Sequence, residues 1–249
     1  MQNSKPRDLE PKAVKDPTTD HFFEAFESVR RHTIHSNSGD VKRTIQIIKA
    51  ILLWADFLNR KQIIGDPKFR LFIQTGVDID ASRALALRSY YRQAIMILRS
   101  WLEVYLLNIY FIDHPVELDW WLNSIEWKDR PDFGKLVDYV YKLPQFRGKT
   151  FPGKYRNQLN TLYGKLSKAI HGRGPLGIDR GLGANFHQGL FKAWINYLSE
   201  TFRLTSLISF KRFWDDARQD TTFVRDIKAT LDEHLIEELQ QLGISLDQM

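Results

Sequence analysis

The chain has 249 residues, 43% of them apolar, carries a formal net charge of +6 and contains no cysteine. That apolar content suffices for one sizeable core or two small ones, and seven Trp, nine Tyr and sixteen Phe argue against disorder away from the ends. The missing cysteines exclude disulfides, thiolate zinc sites and a cysteine nucleophile, while the modest positive charge permits a polyanionic partner without requiring one.

Residues 1–19 are polar and carry Pro6, Pro11 and Pro17, which reads as a flexible leader with no apolar core for a signal peptide. Thr19-Asp20 caps a helix through Phe22, Phe23, Phe26 and Val29 that ends near His35 to Gly39. A second helix is expected from Asp40 to Ile64 with Ile45, Ile48, Leu52, Ala55 and Leu58 inward, closed by Gly65-Asp66-Pro67. Residues 20–67 thus form an N-terminal helical pair. After a connector, in which Lys68 to Ile73 is the one strand candidate, Asp80 or Ser82 opens a long helix reaching about His114 before Pro115.

Leu118, Trp120, Trp121, Leu122 and Ile125 suggest a short amphipathic piece whose tryptophans pack inward, with base stacking by Trp120-Trp121 and Trp127 as the alternative, and Phe133 to Leu143 suggests another. A basic loop follows at Pro144 and Arg147-Gly148-Lys149. The next helix starts around Gly153, a glycine-rich loop covers 172–183, and a further long helix runs from about Ala184 to Asp216. The last helix, Phe223 to Leu242 within 221–245, aligns Val224, Ile227, Leu231, Leu235 and Leu239 on one stripe, a surface that would also suit a partner helix. The fold expected is all-α: long antiparallel helices in a bundle over 80–216, with extra N-terminal helices and a C-terminal amphipathic helix. Because Arg99 and Glu103 interrupt the apolar run from Ala94 to Ile112, no membrane span is expected and the protein is placed in the cytoplasm.

Two helices carry the residues suited to chemistry. On the first, Arg88, Arg92, Arg99 and Glu103 fall within about forty degrees of one line on a helical wheel. Arg99 and Glu103 are four apart and can pair, either as a structural ion pair or as part of a polar cleft. On the second, Leu159, Leu162, Tyr163, Leu166 and Ile170 mark the buried face, while Ser167 and His171 lie four apart on another. His171 precedes Gly172, a position that suits both a helix-capping histidine and a catalytic one.

Ala94-x3-Leu98-Arg99-x3-Glu103 followed by Tyr163-x2-Leu166-Ser167-x3-His171-Gly172 resembles the HEPN-like α-helical proteins, closest to abortive-infection and defence-associated members, over roughly residues 80–215. The resemblance implies a four- or five-helix bundle that often forms a homodimer, and an RNA-directed role in a prokaryotic defence or toxin-like system. In active members an R-x4–6-H motif from two subunits forms a metal-independent endoribonuclease site. His171 matches that histidine, as acid or base at a ribose 2′-hydroxyl. Gly164, Lys165 and Leu166 stand where the motif arginine would, so the cation is left to Arg99 or Arg173, with Glu103 and Ser167 completing the candidate catalytic set. Arg92, Lys165, Arg156 and Arg180 are the candidate nucleic-acid contacts, and neither cofactor nor metal is called for. The alternative is a non-catalytic helical subunit that binds nucleic acid or a protein partner inside a defence complex.

Other patterns are weaker. Gly172-Arg-Gly174-Pro-Leu-Gly177 matches a dinucleotide fingerprint only as a string, since it follows a helix and contains Pro175. His32 and His35 have a permitted metal spacing but no third ligand, and the basic clusters Arg30-Arg31, Lys42-Arg43 and Arg147 to Lys154 are scattered.

Overall fold

The computed structural model of the chain describes residues 17–123, 131–147, 151–170 and 186–246. Ten α-helices and no strand occur among them, so the fold is an all-α bundle. The helices α1 (Pro17–Ser36) and α2 (Ser38–Arg60) precede a hairpin of α3 (Lys68–Ala86) and α4 (Tyr91–Asp113). Next come α5 (Pro115–Asn123), α6 (Phe133–Lys142), a short 3-10 turn at Pro144–Phe146 and α7 (Lys154–Ile170). The chain then forms α8 (Gln188–Ala217), α9 (Thr221–Lys228) and α10 (Glu233–Gln241).

The α4 helix sits in the middle, packed by α3, α6, α7 and α8. Its sequence requires that position: Ile95, Leu98, Leu102, Leu106 and Ile109 are fully buried, and a helix apolar on nearly every side must be enclosed. By length and composition Tyr91–Asp113 could also cross a membrane, but most of its apolar side chains, Met96 excepted, are covered by neighbouring helices. Hydrogen bonds tie the centre together. The Trp194 indole donates to Ser82 Oγ (3.0 Å), which donates to the Ala94 carbonyl (2.9 Å), joining α8, α3 and α4. Tyr105 OH donates to the Thr205 carbonyl at 2.8 Å and lies 2.7 Å from Ser209 Oγ. Around Trp54, the rings of Phe210 and Phe223 stand at 5.0 and 4.8 Å, and Phe57 stacks on Phe223 at 4.3 Å, which locks α2, α8 and α9 into one apolar cluster.

Three elements differ from the sequence-based expectation. The strand candidate Lys68 to Ile73 is the start of α3, whose buried line of Phe72, Thr75, Gly76, Ile79, Ser82 and Ala86 is two-thirds small or polar and so hides its period. The long helix expected from Asp80 to His114 is interrupted at Leu87–Tyr90. There Ser89 adopts φ +67°, its amide donates to the Ala86 carbonyl and that of Tyr90 to Leu85, a left-handed helix stop without glycine. Gln62 (φ 57°) ends α2 in the same way, before Ile64. The expected final helix is two, α9 and α10, because the chain turns at Ala229–Leu231 and Asp232 recaps it by accepting from the Leu235 amide.

Burial revises two faces. In α2 the inward set is Val41, Thr44, Ile47, Ala50, Ile51, Trp54, Ala55, Phe57 and Leu58, whereas Ile45 and Leu52 are 53% and 42% exposed. A helix so rich in apolar residues leaves several stripes available, and contacts with α3 on one side and α9 on another select among them. Trp120 is 64% exposed rather than packed, while Trp121 leans on Phe111. Val224, Ile227, Leu235 and Leu239 are buried in the chain's own core, so the C-terminal stripe is not a surface for a foreign helix.

Candidate functional site

The polar residues of α4 and α7 meet. Both helices are held by apolar faces, Leu98, Trp101 and Leu102 on α4 and Leu159, Leu162 and Leu166 on α7, and this packing sets Arg99 against the other helix. Its Nε donates to Ser167 Oγ at 3.1 Å and its Nη2 to Tyr163 OH. The same Nη2 lies 2.8 Å from Glu103 Oε1, one turn along α4, and Tyr163 OH donates to that carboxylate oxygen at 2.5 Å. The guanidinium carbon sits 4.8 Å from the Tyr163 ring centroid, and Phe133 of α6 stacks on the other side of that ring at 3.8 Å. Residues 60 to 68 positions apart thus close into one cluster of cation, carboxylate, phenol and hydroxyl.

The cluster is neither sealed nor loose. Arg99 keeps 33% of its side-chain exposure and Glu103 14%. Burial first, and then the Glu103 carboxylate, hold the Tyr163 phenol above its ordinary value, only partly opposed by Arg99. Tyr163 is therefore a protonated donor near neutral pH, not a base. Because Arg99 faces Ser167 and Glu103 faces Tyr163, α7 runs antiparallel to α4 and its C-terminal end is directed towards the first turns of α4.

Of the expected catalytic residues, Arg99, Glu103 and Ser167 come together, while His171 and Arg173 lie outside the described residues, His171 being next in sequence after Ile170. The nucleic-acid candidates do not form one track. Arg92 is exposed in the first turn of α4. Lys165 lines a groove between α7 and α8, on another side of α7 from Ser167. Arg156 is engaged by Asp138 of α6 and lies over the Tyr141 ring. Arg180 is outside the described residues. Arg88 leaves the supposed stripe, because it belongs to the turn after α3 and donates to the Ala84 carbonyl at 3.2 Å. Sequence reasoning assigned Tyr163 to the apolar face. Its place in the motif beside Ser167 was the signal that it is the hub, and nothing in the sequence announced its stacking on Phe133.

Elsewhere one arginine of each N-terminal basic cluster is paired within the fold: Arg43 bonds the Thr230 carbonyl (2.8 Å) and Asp232 (2.5 Å), and Arg30 bonds Glu27. His32 and His35 are exposed on α1, and no group of three metal-ligating side chains exists among the described residues. No protein-family model, no curated protein and no solved structure matches this chain.

Proposed function

We propose that this chain is an RNA-directed, HEPN-like protein that cleaves RNA without a metal, His171 acting beside the cluster of Arg99, Glu103, Tyr163 and Ser167. One observation carries the reading: the residues of two short motifs, remote in sequence, meet in a hydrogen-bonded and partly exposed cluster on the helix that leads to His171. In this chemistry the histidine takes the proton of a ribose 2′-hydroxyl, and the 2′-oxygen bonds to the adjacent phosphorus. The bond from phosphorus to the 5′-oxygen breaks, and that oxygen receives a proton. A guanidinium near the phosphoryl oxygens offsets the charge that accumulates on them. A prokaryotic defence or toxin-like role in the cytoplasm, with a second copy or a defence-complex protein as partner, belongs to the same proposal.

A specific feature favours a second reading. The Arg99 fork is directed at Glu103, Tyr163 and Ser167, a positioning arrangement that does not require a substrate phosphate. In that case the chain binds RNA as a non-cleaving subunit. An RNA-cleavage assay in EDTA separates the two. The proposed activity gives products with 2′,3′-cyclic phosphate ends from wild type and none from His171→Ala, whose thermal midpoint stays unchanged. Folded wild-type protein that leaves excess RNA intact overturns the nuclease. Salt-sensitive RNA affinity that survives His171→Ala would then establish the binding subunit.

A further inference from the structure

The groove between α7 and α8 has an unusual lining. It encloses ≈ 410 Å³ and is bordered by Asn157, Gln158, Thr161 and Lys165 along three turns of α7, and by Asn196, Tyr197 and Glu200 of α8, with buried Leu162 at its floor. Three carboxamides converge there with one hydroxyl, one phenol and one ammonium. Among the described residues, the side chains of Asn157, Thr161, Lys165 and Asn196 make no hydrogen bond or ion pair, so their donors and acceptors are available to a ligand.

The charged groups behind the groove are fully used. Arg203 donates Nε and Nη2 to Glu200 (3.0 and 2.8 Å), Nη1 to both Glu238 oxygens (2.9 and 2.8 Å) and Nη2 to Gln158 Oε1 (2.9 Å). All three of its guanidinium nitrogens and both Glu200 oxygens are thereby engaged. This network fixes Gln158 by its carbonyl and leaves its amino group for the groove. A site so built offers neutral donor–acceptor pairs, the partly buried side chain of Tyr197, and one unpaired cation at the end nearest the α7 C-terminus.

Resting on the RNA-directed reading above, we infer that this groove takes one unstacked base of a single-stranded RNA, adenine in preference to the others, with Lys165 holding a phosphate of the same strand. Single-stranded RNA is read by splaying bases onto aromatic rings and bonding their edges, and a carboxamide pairs in two-point fashion with adenine N6 and N7. Guanine calls for an arginine fork or a lysine on O6 and N7, and cytosine for a carboxylate on N4. Here Glu200, the one carboxylate lining the groove, already pairs with Arg203 through both oxygens, and Lys165 is assigned to the phosphate, so the carboxamides of Asn157, Gln158 and Asn196 are left to read the base edge. The single ammonium lies towards the cluster end of α7, which orients a bound nucleotide with its phosphate towards that end and its base towards Asn157 and Asn196. One cation and a buried leucine are too little for an acidic or an apolar peptide.

The test is fluorescence anisotropy with labelled 2′-O-methyl octanucleotides, so that cleavage does not consume the probe. The full chain is expected to bind an octauridine carrying one central adenosine about tenfold more tightly than octauridine itself, the low end of what one two-point contact discriminates. The Asn157→Ala/Asn196→Ala double variant should bind both equally, with its circular dichroism and thermal midpoint unchanged. Equal affinity of the wild-type chain for the two probes overturns the adenine site while leaving the RNA-directed reading intact. Absence of binding to either probe overturns both. Should the double variant fail to fold, the wild-type comparison decides by itself.

Discussion

Arg99 and Tyr163 show how one pair of side chains serves packing and chemistry together. Tyr163 lies between the Phe133 ring and the Arg99 guanidinium while its hydroxyl donates to Glu103. Tyr163→Phe keeps both ring contacts and removes that hydrogen bond, so it is expected to cost about 1.5 kcal/mol, measured as a shift in the urea midpoint. Glu103→Ala should cost more, because it leaves the Arg99 guanidinium and the Tyr163 hydroxyl without their shared acceptor. An unchanged midpoint in both variants would show that the cluster does not contribute to stability. Burial likewise raises the phenols of Tyr105, Tyr139, Tyr141, Tyr155 and Tyr163. The folded chain therefore keeps protons that the unfolded chain releases above about pH 10. Stability is intact below that pH and falls as pH rises past it, with fully buried Tyr105 alone contributing about 1.4 kcal/mol per pH unit. Tyr105→Phe should lower stability at neutral pH, where it forfeits the bonds to Thr205 and Ser209, yet flatten the alkaline decline in a urea titration from pH 7 to 11.

Helix ends govern the element scale. Three helices close on a left-handed residue with the same paired hydrogen bonds: α2 on Gln62, α3 on Ser89 and α10 on Gly243. Only Gly243 adopts that conformation without a Cβ penalty. Exposed Gln62 makes no side-chain bond there among the described residues, so Gln62→Gly is expected to raise stability by about 0.5–1 kcal/mol and Gln62→Val to lower it, both read as thermal midpoints. N-terminal ends use side chains instead. Asp220 caps α9 by accepting from the Phe223 amide at 2.9 Å and also pairs with Arg60 of α2. The amide first, then Arg60, hold its carboxyl below the ordinary aspartate range. Its stabilisation is therefore present above about pH 4 and lost as pH falls below it. Asp220→Ala should cost about 1 kcal/mol at pH 7, and that difference from wild type should shrink as pH falls below about 4.

At the scale of the molecule, the buried apolar residues from Val41 to Leu246 among the described residues form a single cluster. Phe223 of α9 packs on Trp54 and Phe57 of α2, so elements remote in sequence share core with the central helices. Phe223→Ala should remove about 3–5 kcal/mol, and tryptophan fluorescence and far-ultraviolet circular dichroism should report one coincident transition. Two separate transitions would show that the N-terminal pair folds independently. The all-α class, the existence of α1, α2, α4 and α6 to α8, and the four-residue pairing of Arg99 with Glu103 were legible from composition and period, because these are local properties of the chain. Where α2 and α3 stop was not legible, since Gln62 and Ser89 carry no glycine signal and only the paired carbonyls at the helix ends hold them in place. Which α2 stripe lies inward, the meeting of Arg99 with Tyr163 and Ser167, and the amide-lined groove beside Lys165 were decided by tertiary structure. Each depends on how two helices cross, and a single helix's periodicity carries no information about its neighbour.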